Sequence, residues 1–349
     1  MEAFTFTDIQ EKLKDLKSPE DQKGFLKELL GPSYELFVQN MESMPLTSKQ
    51  ADVKEKIQAL KRKGMTTGGI RAYLKEAEGV ELSREKISAA SEEDIPRMHE
   101  WLTRPLSHTY PIVFLDGMHC SVKENGKTVT KCSYHALGIN MDGEKELLGI
   151  WIADTEGAKF WGNVLLDLKN RGVEDILICC IDGLKGFSKA ITDTFPKTTI
   201  QQCINHLVRG SSKYVTGKNK EKFCADLKEV YNSPTEEAGL VALEEMKKKW
   251  PDFEPFLRRW EKEWSELASF FSYPEPVRRL VYTTNPIESL HSEFRRVTKG
   301  ISPNEEGLRF RLWDASRDIT KKWSNKPISD WGTIIAHLSR IFDDRDLLG

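Results

Sequence analysis

Three acidic residues stand where the apolar pattern of the chain breaks: Asp116 after Pro-Ile-Val-Phe-Leu, Asp182 after Ile-Leu-Ile-Cys-Cys-Ile, and Glu288 within Thr-Thr-Asn-Pro-Ile-Glu. The first two close β-prone runs, and the third opens a helix far downstream. Two strand-end aspartates and a helix glutamate supply the hard oxygen ligands of a two-metal phosphoryl-transfer site, which holds its ions about 3.5–4 Å apart. If the three converge, the chemistry is cutting and joining of nucleic acid. Each also has an ordinary role: Asp before Gly is a common turn residue. Asn285, Pro286 and Glu288 fit the N-cap, first and third positions of a helix with a capping box.

The surroundings bear on that choice. Asp116 and Asp182 share one pattern, an apolar run followed by Asp-Gly, and adjacent strands would bring the two carboxylates within reach of one ion. Glu288 is followed at three- and four-residue steps by His291, Arg295 and Lys299, a basic helical stripe suited to a DNA track, with Arg296 beside it. Glu293 is a competing carboxylate on another side of that helix. Lys185 and Arg209 are further candidates for phosphate contacts. Cys203 and His206 form a C-x-x-H pair with no second close pair to complete a zinc site, so a packed or hydrogen-bonded pair is expected. No G-x-x-x-x-G-K-[ST] or G-x-G-x-x-G segment is present, so the sequence lacks support for nucleotide-driven or dinucleotide chemistry.

The elements that must position these residues follow in order. Residues 1–49 read as a charged helical segment. Within 50–103, helices over 53–63, 66–76 and 83–94 fit a helix-turn-helix-like DNA-binding region, and a small structural bundle fits as well. Residues 104–217 read as the first part of a catalytic core. Its three strands (111–122, 128–140 and 145–153) are antiparallel neighbours, the first two joined by a turn containing Asn125-Gly126. Then come a helix (158–171), a continuous apolar strand (176–181), a helix (185–194), a short strand (198–203) and a helix from Asn205. This order is that of a ribonuclease H-like α/β fold, a mixed sheet flanked by helices. Residues 218–280 read as an all-helical insertion, and 281–349 as completion of the core with C-terminal helices.

Composition narrows the class. The 349-residue chain carries 30% charged residues and a net charge of −2, with mean hydropathy −0.51. Local basic clusters, such as Arg209 to Lys222, remain able to hold a phosphate backbone. No apolar run is long enough to span a bilayer, and the first residues lack a secretory-signal layout, which predicts a cytoplasmic protein. Six cysteines, two of them adjacent in an apolar strand, do not form a disulfide framework pattern.

With these motifs in hand, the chain resembles the Mutator-type transposases of bacterial insertion sequences. The resemblance is carried from about Lys63 onward. It includes Arg104-Pro-Leu106, Tyr110 to Asp116, Ala136-Leu-Gly-Ile-Asn140 and Leu148-Gly-Ile-Trp151. It continues through Glu156-Gly-Ala-Lys-Phe-Trp161, Leu168 to Gly172, Asp182 to Phe187, Gln202 to His206 and Thr284 to Glu288. The resemblance implies Asp116, Asp182 and Glu288 as catalytic acids, with Cys203 and His206 as a signature of the block between the last two. It also implies Mg²⁺ (or Mn²⁺) dependence and a ribonuclease H-like core with a helical insertion. Implied partners are the element's terminal inverted repeats and target DNA, bound by a homodimer or higher oligomer at the nucleoid. Residues 1–48 differ from the family's usual longer, basic leader. A DNA-binding relative without transposition and a structure-selective nuclease are the alternatives, separable by whether DNA is cut and whether strands are joined.

Overall fold

The structure, a computed structural model, describes Phe25, Lys27 and residues 48–347 except 63–64, 84–85, 88–93, 155–156, 283–284, 324–325 and 346. The chain falls into two compact units, residues 1–57 and 58–349. Of the first, only Phe25, Lys27 and the beginning of helix α1 (Ser48–Arg62) are described. Helix α2 (Thr67–Glu78) starts where the Thr66 side chain accepts from the Gly69 N–H, and it ends at Gly79 in the left-handed conformation. Much of the third helix expected over 83–94 lies outside the described residues. Helix α3 (Ile95–Thr103) leads into the sheet.

Three long strands follow: β1 (Thr109–Glu124), β2 (Lys127–Ile139) and β3 (Lys145–Ala153). Asn125 and Gly126 both have positive φ (49° and 77°), as the expected two-residue hairpin turn requires. After helix α4 (Ala158–Asn170) comes β4 (Asp175–Ile181), an apolar run buried on both faces, as a central parallel strand must be. Helix α5 (Phe187–Thr194) and strand β5 (Thr199–Gln202) complete the sheet. Its order is β3-β2-β1-β4-β5, antiparallel across the first three strands and parallel from β1 through β4 to β5. This is the mixed α/β, ribonuclease H-like architecture expected from the order of elements.

Each face of the sheet buries a different apolar cluster. Odd-numbered β1 residues, Val113 and Leu115, pack with Trp161, Val164, Leu165 and Leu168 of α4 and with Phe187 and Ile191 of α5. Trp161 stacks on Phe187 with ring centroids 4.4 Å apart. Even-numbered Ile112 and Phe114 face the other way, toward helices that begin with α6 (Ile204–Ser212). Helices α7 (Lys218–Tyr231), α8 (Glu236–Lys249) and α9 (Glu254–Lys262) follow, then short helical turns to Ser272 and α10 (Glu275–Val281). The chain continues through α11 (Asn285–Val297), α12 (Glu305–Trp323) and α13 (Trp331–Ile341). The all-helical stretch shares its apolar side with the sheet: Leu227, Leu243, Leu257 and Trp260 belong to the same cluster as Phe114 and Cys180.

The β2–β3 turn shows how closely the C-terminal helices are seated. Gly143 has φ +80°, and a Cβ there would lie 2.6 Å from Trp331 Cδ2. The Trp331 indole N–H donates to the Met141 carbonyl at 2.7 Å. Gly143→Ala is therefore expected to cost roughly 2–4 kcal/mol, from the left-handed backbone and the overpacked ring together. A urea-denaturation midpoint measures this, and an unchanged midpoint would mean that the ring is free to withdraw.

Candidate active site

The parallel register brings two of the three acids together. Phe114 pairs with Cys180, the last pairing of β1 with β4. Two residues further along each chain lie Asp116, still inside β1, and Asp182, the first residue past β4. By the two-residue period Asp116 continues the face that carries Ile112 and Phe114. The expectation that Asp116 ends its strand is corrected. The residue lies in the middle of β1, which runs on to Glu124 because its hairpin with β2 continues, and Asp116 pairs with His135. Only the β4 side of β1 is open there, so a notch forms at the end of β4.

Asp182 does lie just past its strand. Its Oδ1 accepts from the Leu184 N–H at 3.3 Å. The Gly183 carbonyl accepts from Arg259 Nη2 at 2.9 Å, and a Cβ on Gly183 would make that guanidinium shift. Burial pushes the Asp182 carboxyl above the ordinary aspartate value, with His206, the Leu184 N–H and Arg259 drawing it back. The helical stretch after α6 thus reaches the notch through Arg259. It does so again through Glu266, which accepts from Ser188 Oγ at 2.7 Å and Gln202 Nε2 at 2.8 Å.

His206 on α6 lies close enough to both aspartates to feel their charge. A hydrogen bond donated to its Cys203 neighbour, the Cys203 charge and the two carboxylates outweigh burial and raise the imidazole to about 9. Cys203 is the N-cap residue of α6, and His206 lies in its first turn. Among the described residues, His206 Nδ1 is a buried nitrogen without a well-aligned partner.

Helix α11 supplies the third acid. Its His291 is 1% exposed, and Nδ1 lies 3.4 Å from Asp116 Oδ2. Its Nε2 lies 2.8 Å from His135 Nδ1, and His135 Nε2 lies 2.9 Å from Ser133 Oγ. His291 was expected on an exposed basic stripe and is instead turned inward against the sheet, because it falls beside the buried Ile287, Leu290 and Phe294 of the same helix. One turn earlier, the Glu288 carboxylate is 24% exposed and lies 2.9 Å from Arg209 Nη2 on α6. Arg209 in turn follows His206 by one helical turn. Two contacts thus tie the helices to this region: His291 of α11 to Asp116, and Glu288 of α11 to Arg209 of α6.

The donor set suits a divalent cation in kind, being three carboxylates with hard oxygens. Glu288 Oε1 is buried without a well-aligned hydrogen bond despite the nearby guanidinium. Among the described residues, no three His, Cys, Asp or Glu side chains are already gathered as a metal-holding group. The aspartate pair is set by the sheet, and Glu288 is turned to Arg209. Around the notch Lys185, Arg295, Arg296 and Lys299 are exposed, Arg296 pairing with Glu293 at 2.8 Å. Arg209 is 62% exposed even in its ion pair. The residues that reading the sequence missed are Ser133, His135 and Arg259. Polar residues two apart, just before the apolar run that ends β2, were the available signal for the first two.

The family model described as "Transposase, Mutator family" matches residues 46–326. The chain belongs to the Mutator family of transposases. This transposase is 39% identical over 298 residues to the transposase for insertion sequence element ISRM3 of Rhizobium meliloti (strain 1021), covering 84% of this chain and 74% of that one. It is 36% identical to a probable insertion-sequence transposase of Corynebacterium diphtheriae, over 76% of this chain and 79% of the relative. It is 24% identical to the transposase of IS256 in transposon Tn4001 of Staphylococcus aureus, over 74% and 68%. Among solved structures, the Drosophila P element transposase strand transfer complex aligns loosely, with TM-score 0.34 and 10% identity over 88% of this chain and 87% of that one. Among the described residues, no helix of this transposase is long and apolar enough to cross a membrane.

Proposed function

We propose that this transposase cuts and joins DNA at the terminal inverted repeats of an insertion sequence, with Asp116, Asp182 and Glu288 as the ligands of two Mg²⁺ (or Mn²⁺) ions. The observation that supports this reading is the parallel pairing of β1 with β4 up to Phe114 and Cys180, two residues before Asp116 and Asp182, with His206 close enough to both aspartates to feel their charge. Bound there, two divalent ions would activate the attacking oxygen and neutralise charge on the leaving one. The protein's own part is placement. On this reading the ends of the paired stretch of β1 and β4 would present two carboxylates, and α11, whose His291 lies 3.4 Å from Asp116, would bring the third. The first displacement forms a bond from water oxygen to phosphorus and releases a 3′-hydroxyl. The second forms a bond from that hydroxyl oxygen to another phosphorus and releases that phosphodiester's leaving oxygen. No covalent protein–DNA link is needed.

Exposed Lys185, Arg295, Arg296 and Lys299 suit the phosphate backbone leading to the notch. Arg209 would serve there once released from Glu288. Two element ends must be paired for joining, which favours a homodimer or higher oligomer on DNA. The test is a duplex carrying one terminal repeat, incubated with the full chain in Mg²⁺ or in chelator. A nick at the element end only with Mg²⁺, followed by a joined product with target DNA, is expected. Cleavage without joining would make the protein a nuclease, and binding without cleavage would overturn the enzymatic reading.

A further inference from the structure

Arg209 and Glu288 form an uneven ion pair. Nη2 lies 2.9 Å from Oε1, and the Arg209 side chain is 62% exposed against 24% for Glu288. Arg209 stands in the last turn of α6 and Glu288 in the first turn of α11. A cation is favoured at a helix C-terminus and an anion at an N-terminus, so neither charge is stranded when the pair opens. Oε1 is buried and has no well-aligned hydrogen bond, so the contact is one of charge rather than of directed bonding. A pair this open to water changes an equilibrium constant by only about 2–5-fold, which an incoming ion can overcome. The pair also joins two separate elements. Arg296, by contrast, pairs with Glu293 three residues away on its own helix, with both side chains largely in water.

We propose that the Arg209–Glu288 pair is a latch that couples DNA binding to cation binding. While it is closed, Glu288 holds Arg209 back from a DNA phosphate, and Arg209 holds Glu288 back from a divalent cation. This rests on the reading above of Glu288 as a cation ligand and Arg209 as a phosphate contact. The exchange follows from the signs of the charges. A phosphate and a carboxylate are both anions, so a phosphate drawn to Arg209 drives Glu288 away. A divalent ion and a guanidinium are both cations, so an ion at Glu288 drives Arg209 toward solvent, where a phosphate can meet it. Each ligand favours the open pair, and by linkage each raises the affinity for the other by the same factor.

The test is binding of a short labelled duplex of arbitrary sequence to the full chain in chelator, since phosphate contacts carry no sequence information. A metal-free thermal melt confirms that each variant folds. Glu288→Gln opens the latch and is expected to tighten DNA binding about 2–5-fold. In an Arg209→Gln background the same change is expected to do nothing. Wild-type affinity in Glu288→Gln would overturn the latch. Equal tightening in both backgrounds would overturn it too, since loss of any nearby carboxylate would then suffice. Isothermal titration of Mn²⁺ without DNA probes the other side of the latch. Arg209→Gln is expected to bind Mn²⁺ about 2–5-fold tighter than wild type. Unchanged Mn²⁺ affinity there would overturn the latch even if Glu288→Gln did not fold. Two further results would instead sink the readings beneath it. Unchanged Mn²⁺ binding in Glu288→Gln would remove Glu288 as a cation ligand. Arg209→Gln is expected to make the salt dependence of DNA binding shallower by about 0.9, one phosphate contact, and an unchanged slope would remove Arg209 as that contact.

Discussion

Asp116→Asn is expected to slow strand cleavage by about 10³-fold, while duplex DNA binding stays within about threefold of wild type. Asparagine keeps the shape, and its single oxygen can still accept from the Gly117 N–H, which donates to Asp116 Oδ1 at 2.8 Å. The negative charge is lost, and an NH2 replaces the oxygen that faces His291. Asp116 is 7% exposed at the floor of the notch, so it does not belong to the surface that meets the phosphate backbone. Cleavage under single-turnover conditions together with a gel shift separates the two effects. A mutant that cuts at the wild-type rate would show that Asp116 is an ordinary strand residue.

The second large effect is expected at Glu288, where the two roles of the residue make opposite predictions. As the third residue of a capping box it would tolerate glutamine, because Glu and Gln both serve there. As a cation ligand it would not. Glu288→Gln is therefore expected to leave the thermal midpoint nearly unchanged and to lower the cleavage rate by about 10²–10³-fold. Arg209 makes the comparison sharper. It lies 2.9 Å from the carboxylate, so Glu288 must exchange a guanidinium for a cation before the reaction. A Glu288→Gln protein that cuts normally would return the residue to its capping role.

How much of this could be read in the sequence depended on which force set each feature. The strands and their order were readable because local patterning sets them: alternation in β1, the continuous apolar run of β4, and the Asn125-Gly126 turn. The Asp-Gly repetition pointed to the aspartate pair, and the parallel register pairs the strands up to the residues two before each. The strand end at Asp116 was misread because Asp and Gly locally favour a turn, whereas the long hairpin with β2 keeps that segment extended. His291 was misplaced because spacing along a helix gives a stripe but not which way it faces. The burial of Ile287, Leu290 and Phe294 sets that direction. Ser133 and His135 went unnoticed because the contact that links them to His291 joins a strand to a helix far along the chain. The Glu288–Arg209 ion pair joins α11 to α6 and has no local signature at all.

The central claim is that Asp116, Asp182 and Glu288 share divalent ions, and Mn²⁺ anomalous scattering from crystals of the full chain bound to a terminal-repeat duplex tests it most directly. The expected result is two Mn²⁺ peaks about 3.5–4 Å apart, one between the Asp116 and Asp182 carboxylates and the other reached by Glu288 after it leaves Arg209. Absence of a peak between the two aspartates, or a single peak held by Cys203 and His206 instead, would contradict it.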